Sequence, residues 1–390
     1  MVNSANFLAA ADERDWPTIA SMLDQDWLTL FFSPETAPAC WQVLIEIPET
    51  FLRERPKLAF FGEIQTRLPH HTAQFNVPDA AQLNRIAREG RGRELIEVST
   101  VAMIARRVSG HFTEATEIVD AILPFLKQAS ATPFSPATGL AGYWYLQAGQ
   151  ATLFAGHVER ANLLFELAWT YRVDDITGYV APSVAPIRAL TASFTDDRVG
   201  WAHWNAVIDQ HATEWSNLIE ASTMSRQRLL GDLLQATHRG DTAASGQLVA
   251  GLDSMAAFDE YWAFSLLGKV RHLINIGEPA QARRAVALAR ELHSTLVEPG
   301  SINEAIVETA NASLTRVVTR NSTDGRVATL TAREYATLQA LAEPGSLPEI
   351  ADRLYISKNT LKTHLRSLYA KLDVSAREEA IEKARDLGLL

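Results

Sequence analysis

Apolar residues along most of this chain recur at helical spacing. Leu, Ala, Glu, Arg and Gln dominate residues 1–318, and runs of alternating β-branched residues are missing. The pattern predicts helices and no sheet. One signature repeats: a small residue ends one helix, a short turn follows, and an alanine stands five positions on, early in the next helix. Gly110-His-Phe-Thr-Glu-Ala115, Gly156-His-Val-Glu-Arg-Ala161 and Gly277-Glu-Pro-Ala-Gln-Ala282 carry it in full. Gly240-Asp-Thr-Ala-Ala-Ser245 is a weaker copy, and Asp15-Trp-Pro-Thr-Ile-Ala20 is a candidate with Asp in place of Gly. The spacings from Gly110 onward are 46, 84 and 37 residues, the long one being about two units. A glycine ends a helix in left-handed conformation. An alanine beyond it lets the next helix pack close, and a helical hairpin that cannot bury its face alone stacks on its neighbours. Residues 1–318 therefore read as a degenerate tetratricopeptide-like helical-repeat array. The alternative is an irregular helical bundle with chance Gly-x4-Ala spacings.

The pattern changes near the end. Residues 319–329 contain only two apolar side chains and a Thr-Asp-Gly turn signal, and read as a linker. Residues 330–390 then read as four short helices. Thr331 and Glu334 form a capping box for the first, which presents Tyr335, Leu338, Leu341 and Ala342 on one face. Pro344-Gly345 stops it. Ser346 caps a second helix with Pro348 in its first turn and Ile350, Ala351 and Leu354 inward. After the turn Tyr355-Ile356-Ser357, Ser357 caps a third helix, Lys358–Leu372, with Leu361, Leu365, Leu368 and Leu372 on its apolar stripe. A fourth, about Ala376–Leu387, carries Ala380, Ile381 and Ala384, a strip that could also pair with a second copy. Helices two and three, joined by a tight turn, make a helix-turn-helix. The third helix holds Lys358, Lys362, His364, Arg366 and Lys371 and no acidic residue. Cationic side chains with threonines suit a major groove, where they meet base acceptors, phosphates and thymine methyls.

At this point the residues become familiar. Leu330-Thr-Ala-Arg-Glu334, Glu349-Ile-Ala-Asp-Arg-Leu354, Ile356-Ser-Lys-Asn-Thr-Leu-Lys-Thr-His-Leu365 and Lys371-Leu-Asp-Val-Ser-Ala-Arg377 together resemble the LuxR-type DNA-binding domain. Pro344, Leu347-Pro348 and Leu361 depart from that pattern, the first two at the inter-helix turn. The resemblance implies that Lys362, Thr363 and Arg366 face bases. It implies that Thr331, Ser357, Lys358, Thr360 and Lys371 face phosphate. His364 stays open between a groove contact and a spacer. Ile47-Pro-Glu-Thr-Phe-Leu-Arg-Glu-Arg-Pro-Lys-Leu58 is similar to the start of the helical-repeat region of MalT-like large regulators, and Ala10–Leu23 to the helix pair before it. No Gly-x4-Gly-Lys-Ser/Thr phosphate loop accompanies it, so the resemblance is to the repeat-plus-effector half of such a regulator.

Composition narrows the picture. At 390 residues, 47% hydrophobic and 21% charged, the chain is long enough for two or three globular units. The net charge of −10 argues against nonspecific nucleic-acid binding by the whole. The average hides a division, since residues 326–390 carry a net +1 and the rest −11. A single cysteine, Cys40, excludes an internal disulfide and a cysteine-based zinc site and suits a cytoplasmic setting; it reads as a small buried hydrophobe. No secretory signal, membrane span, catalytic constellation, cofactor motif or convergent metal set is found, His70-His71 and His111 included. The pairs Asp174-Asp175 and Asp196-Asp197 read as solvated loops. Residues 128–195 hold seven charges in 68 positions and many aromatics. That run is either core of a middle repeat or an effector pocket, for which Tyr143, Trp144, Trp169 and Tyr179 are the candidates. The expectation is a regulator that binds promoter DNA as a homodimer, with RNA polymerase as a further partner and a small molecule or protein as effector. The rival is a helical-repeat interaction protein acting mainly on another regulator.

Overall fold

The computed structural model describes residues 3–33, 35–48, 50–51, 78–88, 92–130, 138–175, 177–215, 223–255, 260–321, 330, 332–354, 356–372, 374–386 and 390. Among these residues every regular element is helical. The chain opens with α1 (Ser4–Glu13), α2 (Trp16–Phe32), α3 (Ala37–Glu46) and α4 (Ala80–Arg88). Five helix pairs follow: α5 (Gly92–Val108) with α6 (Phe112–Ser130), α7 (Thr138–Phe154) with α8 (Val158–Thr170), α9 (Val180–Phe194) with α10 (Arg198–Gln210), α11 (Thr223–His238) with α12 (Thr242–Asp253), and α13 (Trp262–Asn275) with α14 (Pro279–Leu292). Then come α15 (Ile302–Asn321), α16 (Ala332–Ala342), α17 (Leu347–Arg353), α18 (Lys358–Leu372) and α19 (Arg377–Asp386). The last turn of α15 thus enters the stretch read as linker. Residues 322–329, most of Ile47–Leu58, and His70-His71 lie outside the described residues.

The repeated signature is a repeated hydrogen-bond geometry. In each of the five pairs the middle residue of a three-residue turn has left-handed backbone: Gly110, Gly156, Asp196, Gly240 and Gly277, with φ from 60 to 89. Its N–H and the next one return to carbonyls three and five positions back, the Schellman closure that satisfies orphan carbonyls at a helix end. Asp196 is the copy missing from the sequence reading, and it fills the long gap between Gly156 and Gly240. The turn between α1 and α2 closes identically, but at Arg14 (φ 55) rather than Asp15. That puts Ile19, not Ala20, at the position the repeat alanine occupies elsewhere. Five residues past the turn, Ala115, Ala161, Ser245 and Ala282 are wholly buried. A larger side chain there would force the paired helices apart.

Two compact units result, one formed by Met1–Gly268 with Ala289–Val307, the other by Lys269–Leu288 with Glu308–Leu390. In the first, Phe112 stacks on Phe154 at 5.6 Å between the first two pairs, while Phe154 meets Tyr261 at 5.3 Å and Phe194 meets Phe264 at 5.4 Å, contacts that reach from the second and third pairs to the start of the fifth. Helix α7 is buried at every position from Leu140 to Phe154. A helix apolar all round belongs in a core, so packing accounts for this part of the charge-poor run. The acidic pairs do more than solvate loops. Asp175 accepts from Thr177 and from the Val180 N–H at the start of α9, and Asp197 caps α10 through the Gly200 N–H. In the second unit the four C-terminal helices share a core of Leu338, Leu341, Ile350, Leu361, Leu365, Leu368 and Leu372. Each such leucine contributes about 1.5–3 kcal/mol of burial. Ala342 is exposed and Ala340 is buried in its stead, one difference from the expected face.

Candidate nucleic-acid interface

Helix α18 begins and ends where the periodicity places it. Ser357 Oγ accepts from the Thr360 N–H at 3.1 Å, an N-cap that leaves the next backbone donors facing solvent. Its four leucines are buried. The opposite face therefore points outward, and Lys358, Asn359, Thr360, Lys362, Thr363 and Arg366 are all exposed. None of the three cations forms an ion pair among the described residues. The spacing 359, 362, 363, 366 aligns these side chains along one stripe of the helix. Thr363 donates its hydroxyl to the Asn359 carbonyl at 3.0 Å. His364 is half-buried.

Lys371 departs from its expected surroundings. Its ammonium lies 2.6 Å from Glu334, a buried carboxylate that also accepts from the Ser367 hydroxyl. The pair ties α18 to α16, so Lys371 holds that helix on the domain. Thr331 lies outside the described residues. On α19, Ala380 and Ala384 are wholly buried in the domain's own core, while Ile381 is half-buried.

Several residues that position α18 were missed in the sequence. Arg377, at the start of α19, donates to the carbonyls of Leu341, Glu343 and Gly345, closing the end of α16 and the turn into α17. Arg353 pairs with Glu343 and reaches the Pro344 carbonyl. Glu349 accepts from the Ser346 N–H at 2.7 Å and from its hydroxyl, which holds its carboxyl below the usual range. The sequence signal was present only at Glu349, three residues beyond a serine. The unusual Pro344-Gly345 turn is thus held by two guanidinium groups. Gly345 has φ 147, and a Cβ there would sit 2.9 Å from the Arg353 guanidinium.

Residues 328–384 match the family described as bacterial regulatory proteins, luxR family. The C-terminal domain is a LuxR-type helix-turn-helix. The chain is 31% identical over 161 residues to the HTH-type transcriptional regulator MalT of Vibrio cholerae, a match covering 40% of this chain and 17% of that protein. It is 40% identical over 62 residues to the MalT proteins of Serratia proteamaculans and Yersinia pestis, covering 16% of this chain and 7% of each. The chain thus spans under a fifth of the length of these curated relatives. No solved structure matches it.

The four residues proposed for an effector make separate contacts. Tyr143 and Tyr179 meet edge to face at 6.1 Å. Trp144 is buried and donates its indole N–H to Ser99 at 2.8 Å. Trp169 packs instead on Trp204 at 5.2 Å, beneath the Arg172 guanidinium. What surrounds the tyrosine pair is polar. Arg107 pairs with Glu260 at 3.0 Å and donates to Gln147 at 2.9 Å, and Gln227 donates to the Tyr261 hydroxyl at 2.7 Å. Burial pushes the hydroxyls of Tyr143, Tyr179 and Tyr261 up, so all three stay protonated. The Gln227 carbonyl oxygen is buried with no hydrogen-bond partner among the described residues. No spacing in the sequence links residues 107, 147, 227 and 260. Among the described residues, no helix is long and apolar enough to cross a membrane.

Proposed function

We propose that this chain is a non-enzymatic transcriptional regulator of the cytoplasm that binds duplex promoter DNA through α18, under control of its helical, tetratricopeptide-like array. The observation that carries this reading is the exposed face of α18, on which Lys358, Lys362 and Arg366 stand with no acidic residue, held in place by the Glu334–Lys371 pair inside a chain of net charge −10. Lys362, Thr363 and Arg366 read base edges, joined by Asn359, whose amide can pair with adenine. Ser357, Lys358 and Thr360 meet phosphates at the helix N-terminus, and Thr331 joins them. His364 is a spacer. Lys362→Ala and Arg366→Ala each weaken specific binding by about 1–3 kcal/mol, and Lys358→Ala lowers the salt slope by roughly one unit for every sequence. A gel-shift titration in which both Lys362→Ala and Arg366→Ala keep full affinity sinks the base-contact assignment.

The regulator acts as a homodimer on an inverted repeat and engages RNA polymerase from that site. Its effector, a small molecule or a protein, binds the array. Of the four candidate aromatics, Tyr143 and Tyr179 are the better centre for a small molecule, because the polar cluster around them includes the Gln227 side-chain oxygen, a buried acceptor without a partner among the described residues. Leu163, Val173 and Val199, each more than two-thirds exposed, favour the second reading, in which the array mainly binds another protein.

A further inference from the structure

The segment between α14 and α15, residues 294–301, is short and largely irregular, yet it is bound on several sides. The Glu298 carboxylate accepts the N–H groups of Phe112 and Thr113, the latter at 3.1 Å, and the Thr113 hydroxyl. It thereby caps α6 from 185 residues away in the chain. The backbone of the segment crosses two repeat turns. A Cβ on Gly110 would stand 2.7 Å from the Thr295 carbonyl oxygen, and one on Gly156 would run into the Gly300 carbonyl oxygen. At Gly240, where φ is equally left-handed, a Cβ would meet nothing within 4 Å. Two of the five turns therefore need a residue without a side chain for a second reason, which is room for this segment. Leu296 of the segment is buried, and the Asn303 amide donates to its carbonyl at 2.9 Å.

Chain connectivity gives these contacts a consequence. Residues 289–307 belong to the first unit, but the chain on both sides of them, Lys269–Leu288 and Glu308–Leu390, belongs to the unit that contains the helix-turn-helix. Residues 289–307 thus interrupt the second unit in sequence, while the contacts of residues 294–301 lie within the first. We infer that residues 294–301 are a strap whose seating on the Gly110 and Gly156 turns restrains the DNA-binding unit, and whose release raises DNA affinity. Any rearrangement of the first repeat pairs reaches the strap through the α6 N-terminus and the two turns. The strap passes it to both flanks of the DNA-binding unit through covalent chain. A restrained unit populates DNA-competent arrangements less, and unseating removes that penalty.

The inference rests on the DNA-binding reading above. The test uses the full chain and a duplex enriched by the wild-type protein from a randomised pool. Glu298→Ala removes the cap, and Gly156→Ala fills the seat. Gly240→Ala imposes similar left-handed strain with no strap above it and serves as the control. Hydrogen exchange of residues 294–301 should accelerate by about tenfold or more in the first two variants and not in the control. Affinity for the duplex should rise by about fivefold or more in the same two only. Faster exchange with unchanged or weaker binding overturns the strap's role, and so does unchanged exchange in both variants. A wild-type chain that enriches no duplex sinks the DNA-binding reading together with the strap, whereas the other outcomes sink the strap alone.

Discussion

Arg377 shows how one side chain shapes the recognition surface without touching it. Its guanidinium satisfies carbonyls at the end of α16 that would otherwise be left unpaired beside the core. Arg377→Ala should destabilise the C-terminal domain by about 1–3 kcal/mol, and Arg377→Lys should recover little, because an ammonium cannot span three carbonyls. Hydrogen exchange over residues 332–386 of the full chain reads this directly, and a change within about 0.5 kcal/mol would contradict it. Glu349 adds a pH dependence. Its carboxyl is held down by the Ser346 N–H and hydroxyl, so its contribution is complete above the ordinary value of 4.5 and fades as acid drives pH through the depressed value. Cys40 is the opposite case. Burial pushes its thiol up to about 12, so it should resist alkylation at about pH 8 in the native chain and react on unfolding. Prompt modification of the native protein would show that the site is open.

At the scale of elements, the recurring unit is a helix end. A Schellman turn demands one left-handed residue, which glycine accepts at least cost. Asp196 meets the demand with a side chain and takes a strained backbone, offset in part by its contacts with Arg198 and His238. Asp196→Gly relieves left-handed strain of about 1–2 kcal/mol and costs about 0.4–1 kcal/mol in chain entropy, so it should stabilise the array slightly, whereas Gly156→Ala should destabilise it. Tryptophan-monitored denaturation checks both, since all nine tryptophans precede residue 263. A lower midpoint for Asp196→Gly would mean that the side-chain contacts of Asp196 outweigh the backbone strain. The repeat was legible where glycine marks it. At Asp196 and Arg14 it was not, because αL geometry is a backbone property that a tolerated side chain conceals.

At the scale of the molecule, the charge division sets an acidic array apart from a C-terminal region of nearly balanced charge, which suits the proposed approach to DNA. A single helix-turn-helix reads few base pairs, so two copies should bind half-sites about one helical turn apart. Ala380 and Ala384 cannot supply the contact between copies, being interior. Ala384→Leu should therefore overpack the domain, costing about 1–3 kcal/mol, and leave stoichiometry unchanged in whatever fraction stays folded. Analytical ultracentrifugation on an inverted-repeat duplex checks this. Loss of the two-to-one complex in a domain of full stability would place the dimer contact on α19 after all.

Much of this protein could be derived from its sequence because the deciding signals are local. Helical periodicity, a serine before each of α17 and α18, and a cationic stripe opposite four leucines each lie within a few residues of one another. They define the all-helical class, the span of α18 and the side chains it exposes. Tertiary structure decided what depends on residues far apart. Lys371 became a strut because Glu334 is buried beside it. The effector candidates divided because α7 is buried all round, turning Trp144 one way and Tyr143 the other. Glu298 became the cap of α6 because the chain returns to its early repeats. No periodicity records such a return, since it arises from how stacked hairpins close upon one another.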